Sequence, residues 1–157
     1  MGKISYRLLT KDDVEVLDKF LREMSEELFD FKGEPDTKAF IQTHFYPNIG
    51  RGVYLFLDDD KPIGFISAFV TDHCGLREKT VVLDFVYVLK EYRNKKEVTF
   101  KILDRMQYFQ VTTGLDIEVV EASYATQKFF KRFDKKTIGT ANIYQGKEFN
   151  DYVNKFI

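Results

Sequence analysis

The sequence predicts an α/β fold, a mixed and mostly antiparallel sheet of six to seven strands flanked by about four helices. Three observations carry that prediction. Short stretches with alternating or β-branched apolar residues read as strands, among them 3–9, 53–57, 63–70 and 81–89. Longer stretches repeat apolar residues at helical spacing, the clearest being Val14, Leu17, Phe20, Leu21, Met24 and Leu28. Residues 80–106, TVVLDFVYVLKEYRNKKEVTFKILDRM, read as a buried strand, a polar turn and a helix.

Taken in order, residues 3–9 (KISYRLL) place Ile4, Tyr6 and Leu8 on one strand face. Thr10 is a credible N-cap, with Asp12 and Asp13 in the first turn of a helix running from Lys11 to about Leu28. Gly33 and Pro35 mark a loop, after which Asp36 or Thr37 caps a second helix carrying Phe40, Ile41, His44 and Phe45. The strands 53–57 and 63–70 flank Asp58, Asp59, Asp60, Lys61 and Pro62, a turn that joins antiparallel neighbours. Consecutive acids at a hairpin tip point different ways and have no Glu partner at loop-ligand spacing, so the tip reads as a solvated turn and not a metal site.

From Val98 the apolar positions Ile102, Leu103 and Met106 define a helix that ends at Gly114, a natural C-cap. A short strand follows at 115–120, and a helix returning to a strand beside its predecessor makes the two strands parallel. Further on, a helix opens at Ser123 and carries Phe129, Phe130 and Phe133. A strand at 138–144 and a terminal helix at 148–156 complete the chain. The start of a helix facing the end of a strand exposes unpaired N–H groups and a positive dipole end, which suits a phosphate. Arg93, Lys95 and Lys96 add three cations there and Glu97 opposes them.

Composition bounds the answer. At 157 residues, 44% hydrophobic and 31% charged, the chain has room for one domain, 1–157, with a sizeable core. A net charge of −1 argues against nucleic-acid binding through bulk charge, though Lys128, Lys131, Arg132, Lys135 and Lys136 form a local basic run. One cysteine, Cys74, makes no internal disulfide, which fits a reducing, cytoplasmic compartment. Residues 1–10 lack the apolar core of a secretory signal, and no apolar run has the length of a membrane span. One Cys and two His fall short of a zinc ligand set, so His73-Cys74 reads as a surface loop and no metal is expected.

The segment around the turn resembles the GNAT (N-acetyltransferase) superfamily. Val86-Tyr87-Val88 stands at the strand end, and Glu91-Tyr92-Arg93 enters a turn that continues through Asn94, Lys95, Lys96, Glu97 and Val98. In that family the turn is Arg/Gln-x-x-Gly-x-Gly/Ala and cradles the pyrophosphate of acetyl-CoA; Lys96 and Val98 stand here at its glycine positions. The order of elements along most of the chain is similar as well, so the resemblance implies a single GNAT-like acyltransferase domain. It also implies acetyl-CoA or another acyl-CoA as co-substrate and an amine on a small molecule or protein as acceptor. A homodimer is an admissible assembly.

Residue by residue, the resemblance makes Asp84 the general base. It is the only acid in the apolar run 81–89, where a carboxylate is costly unless paired or functional; a structural acid paired with a Lys or Arg is the other reading. Val88, with Leu89 beside it, would polarise the thioester through backbone N–H, and Arg93 to Val98 would hold the phosphates. Phe130 stands where the family carries its acid Tyr. The first helical region would wall the acceptor site and offer Glu26, Glu27, Asp30 and His44 to a cationic amine, against the alternative of a solvated face. Two functions follow: a divergent N-acyltransferase, or a protein of that fold that has lost catalysis and binds a partner.

Overall fold

The computed structural model describes residues 2–29, 32–44, 52–72 and 79–119. Within them the order is β1 (Ile4–Leu8), α1 (Val14–Phe29), α2 (Thr37–His44), β2 (Gly52–Asp58), β3 (Lys61–Asp72), β4 (Lys79–Val88), α3 (Lys96–Thr113) and β5 (Ile117–Val119). The five strands lie in the order β1-β2-β3-β4-β5. Neighbours are antiparallel except β4 and β5, which are parallel as a helical crossover requires. The elements expected from Ser123 onward, which complete the count of six to seven strands and about four helices, lie outside the described residues, as does His73-Cys74.

Alternation along the strands sorts the side chains to two faces. Val53, Leu55, Leu57, Phe65 and Tyr87 pack against Leu17, Phe20, Leu21 and Met24 of α1 and Ile41 of α2. The Phe20 and Phe65 rings stack at 6.3 Å and Tyr87 closes on Phe20 at 5.9 Å. Tyr54 alternates with Val53 and Leu55 and so belongs to the opposite face, where its ring meets Phe109 of α3 at 5.9 Å. There the buried Arg105 guanidinium lies 3.8 Å from the Tyr6 ring, 4.3 Å from Tyr108 and 5.3 Å from Tyr54.

The first helix begins later than the spacing predicts. Lys11–Asp13 is a single 3-10 turn and α1 starts at Val14. Asp13 explains the tight entry: its Oδ2 accepts from the Thr10 N–H at 2.8 Å and the Thr10 hydroxyl at 2.9 Å, while both oxygens are gripped by Arg7. Of the two candidate caps for α2, Asp36 serves, its Oδ1 accepting from the Ala39 N–H at 2.8 Å. Thr37 ties the helix to α1 by donating to Asp18 at 2.6 Å.

The hairpin tip is the residues Asp59 and Asp60, with Asp59 at a φ of 51°, which Asp tolerates. The acids here are engaged and not merely solvated. Asp58 accepts from the Gly2 N–H at 2.6 Å and from the Tyr92 hydroxyl at 2.9 Å, and Asp59 accepts from the Lys3 N–H at 2.9 Å. This anchors the turn before α3 to the β2–β3 hairpin.

Candidate functional site

The site is built where β4 ends and α3 begins. Register in β4 is regular from Ser67↔Phe85 to Gly64↔Val88, then slips: Ala68 pairs with Leu83, leaving Asp84 as the extra residue of a bulge. The carboxylate expected to act as base therefore stands on the one irregular position of its strand. Asp84 is half-buried, with Oδ1 buried. Among the described residues, β5 pairs with Val81, Val82 and Leu83.

Antiparallel pairs alternate between those that exchange hydrogen bonds and those whose N–H and C=O groups point outward. Leu89 donates its N–H to the Ile63 carbonyl at 2.9 Å, so Val88 and Gly64 form an outward-facing pair, as do Val86 and Ile66 two residues earlier. The N–H groups of Val86 and Val88 thus face away from β3, while the N–H of Leu89 is spent inside the sheet. Gly64 makes the approach possible. A Cβ there would lie 2.3 Å from the Tyr87 carbonyl oxygen and 2.9 Å from the Val88 Cα.

Between β4 and α3 the chain makes a 3-10 turn at Lys90–Tyr92, and Asn94 takes a φ of 64°. The left-handed residue of the turn is this Asn, a residue that tolerates the region. Lys96 is the first residue of α3 and Val98 the third, so both positions where the resembled turn carries glycine are helical here. Val98 is buried and Lys96 is exposed. The N-cap is Lys95, with no side-chain cap, and the Thr99 N–H closes the first helical bond onto the Lys95 carbonyl at 3.0 Å. The N–H groups of Lys96, Glu97 and Val98 precede the first intrahelical donor and are left for an anion or for water. Lys95 sits 4.4 Å over the Tyr92 ring.

Arg93 turns the other way, toward α1. Its Nε donates to the Val88 carbonyl at 2.7 Å, and its two terminal nitrogens grip both oxygens of Glu27, Nη2 at 2.8 Å from Oε2. The guanidinium lies 5.5 Å over the Tyr87 ring, whose hydroxyl donates to Glu23 at 3.1 Å. The Arg93 hydrogen bonds hold the Glu27 carboxyl below its ordinary range and Glu27 raises Arg93 in return. Burial first, then the bond to Glu23, raises the Tyr87 hydroxyl, which stays protonated near neutrality.

Of the remaining expected residues, Glu26 is exposed on α1, and Asp30 and Phe130 lie outside the described residues; of His44 only its place at the end of α2 is described. Glu23 and Asp58 join the site without having been expected, and Tyr92, expected only as part of the turn's entry, ties that turn to Asp58. Their signal was weak, since each touches a residue far away in the chain. Among the described residues no group of three or more His, Cys, Asp or Glu is arranged to hold a metal ion. Likewise, no described helix is long and apolar enough to cross a membrane.

The family model described as the acetyltransferase (GNAT) family matches residues 17–134. No curated protein matches the chain in sequence. Among solved structures, a predicted acetyltransferase with acetyl-CoA from Clostridium acetobutylicum superposes with a TM-score of 0.72 at 12% identity, over 90% of this chain and 96% of that one. A ribosomal-protein-alanine N-acetyltransferase from Brucella melitensis biovar Abortus 2308 gives 0.69 at 11% identity, over 92% and 99%. An aminoglycoside acetyltransferase from an uncultured soil metagenomic sample, in complex with sisomicin, gives 0.65 at 12% identity, over 90% and 97%.

Proposed function

The chain belongs to the GNAT acetyltransferase family, and from that premise we propose that it is an acyl-CoA-dependent N-acyltransferase moving an acetyl group to an amine. The observation that carries the reading is the start of α3, three N–H groups without a side-chain cap, set at the end of a strand whose Val86 and Val88 N–H groups face outward. This arrangement fits an extended ligand with a phosphate end and a carbonyl end. The residues at the two former glycine positions do not block it, since Val98 is turned into the core and Lys96 is solvated beside the N–H groups.

Acetyl-CoA, when bound, supplies the thioester. The protein then has three tasks. The N–H groups of Lys96, Glu97 and Val98, with the Lys95 and Lys96 charges, bind the phosphates. The Val88 N–H donates to the thioester carbonyl, stabilising the charge that develops on its oxygen. Asp84 takes the proton of the acceptor ammonium. Asp84 stands four positions before Val88, roughly 13 Å at the usual rise, so the proton reaches Asp84 through water. The acceptor is a cationic amine. The acid surplus of α1, five acids against two bases, supports this, as do structural neighbours that are aminoglycoside acetyltransferases.

One observation favours the binding-module reading: Arg93, the cation at the family's motif position, is held by Glu27. Calorimetric titration with acetyl-CoA separates the two. The transferase reading expects saturable binding and turnover with a polyamine or aminoglycoside acceptor. It further expects Asp84→Asn to keep the acetyl-CoA affinity while lowering kcat about a hundredfold or more. Absence of heat at millimolar acetyl-CoA would leave the fold without the reaction.

A further inference from the structure

We propose that Arg93 is a positioning residue that presents the Val88 N–H to the thioester, and not a ligand of the cofactor phosphates. The inference rests on the acyltransferase reading for its consequence and on the free protein for its geometry. Three of the five guanidinium N–H groups are committed, one through Nε to the Val88 carbonyl and two to the Glu27 carboxylate. A forked carboxylate pair of this kind is among the strong polar contacts in a protein. For the fork to reach a phosphate it must give up both of its bonds to the Glu27 carboxylate.

The carbonyl that Arg93 takes is the informative one. Val88 stands in an outward-facing pair, so its carbonyl finds no partner on β3 and needs one elsewhere. A neighbouring strand in regular register engages the carbonyls and the N–H groups of the strand it pairs with. An arginine donates only, so it satisfies the carbonyl and leaves the Val88 N–H available. Arg93 thus satisfies the Val88 carbonyl, while the Val88 N–H faces away from β3 and is not touched by the guanidinium.

The peptide is also braced. Glu23 and Glu27, one turn apart on α1, grip the Tyr87 hydroxyl and Arg93, and Gly64 presses the backbone of β3 against Tyr87 and Val88 from the other side. Lysine cannot do this work, because a single ammonium does not span Val88 and both oxygens of Glu27.

Two variants test the idea, Glu27→Gln, which is isosteric, and Arg93→Gln, which removes the guanidinium. In the free protein each shifts the carbonyl-carbon NMR resonance of Val88 while the far-ultraviolet circular dichroism is unchanged. With isotope-labelled acetyl-CoA bound, each loses the infrared red shift of the thioester carbonyl. CoA affinity stays within about twofold, and kcat falls by about tenfold to a hundredfold with little change in KM for acetyl-CoA. A Val88 resonance unmoved in both variants overturns the proposal. So does a CoA affinity that drops tenfold or more in Arg93→Gln alone with the thioester stretch unaltered, which would make Arg93 a phosphate ligand. Failure of the wild-type protein to bind acetyl-CoA is a different result: it removes the transferase reading, and the Val88 resonance still reports whether Arg93 braces that peptide.

Discussion

At the scale of single residues, each buried charge described has its own compensating surroundings. Asp13 is buried, and Arg7 first, then Thr10, hold its carboxyl well down, at about 2. A carboxyl whose folded value lies below its unfolded value of about 3.9 stabilises the fold above that unfolded value, and loses the contribution as pH falls through about 2. Asp13→Asn should therefore lower stability at neutral pH by about 1.5 to 3 kcal/mol, the worth of a hydrogen-bonded charged group. In urea unfolding the gap between wild type and variant should close as pH falls from about 4 toward 2. A gap independent of pH would mean that shape, and not charge, carries the contribution. Arg105 solves the same problem differently. Its Nε is buried without a hydrogen-bond partner among the described residues, and the faces of Tyr6, Tyr54 and Tyr108 serve the cation instead.

At the scale of elements, the end of β4 depends on a missing side chain in β3. The Cβ of Gly64→Ala would stand 2.3 Å from a backbone oxygen, and backbone cannot rotate away as a side chain does. The two strands must separate just where Val88 is presented. The expected result is a loss of about 1 to 3 kcal/mol, typical of overpacking, together with a lower kcat; an unchanged kcat in a destabilised variant would detach this strand pair from the site. Periodicity made most elements legible in the sequence. Ile4, Tyr6 and Leu8 mark a strand by alternation, the apolar β-branched run from Val81 marks another, and Gly114 closes α3 at a φ of 68° as a C-cap should. The start of α3 was read two residues late, at Val98, because Lys96 and Glu97 carry no apolar signal and Lys95 is not a capping residue. The bulge at Asp84 was not legible, since a bulge is a property of the pairing and not of one strand. Only the misplaced acid hinted at it.

At the scale of the molecule, charge is separated although the total is nearly balanced. Residues 90–101 carry five cations against two acids, whereas α1 carries five acids against two bases. The sequence showed both runs. It did not show that they meet, because the Arg93–Glu27 bridge joins positions 66 apart in the chain. That bridge cancels one charge from each run and leaves Lys90, Lys95, Lys96 and Lys101 to act on an anionic ligand. Such a field steers association and is screened by salt. Raising ionic strength from about 0.01 to 1 M shortens the screening length from about 30 to about 3 Å. Over that range the dissociation constant for CoA should rise about tenfold or more, mostly through slower association. The double variant Lys95→Gln, Lys96→Gln should weaken binding at low salt and flatten the salt dependence, because those charges are the ones being screened. If wild type and double variant responded to salt in parallel, the lysines would be bystanders and the three N–H groups of α3 would hold the phosphates alone.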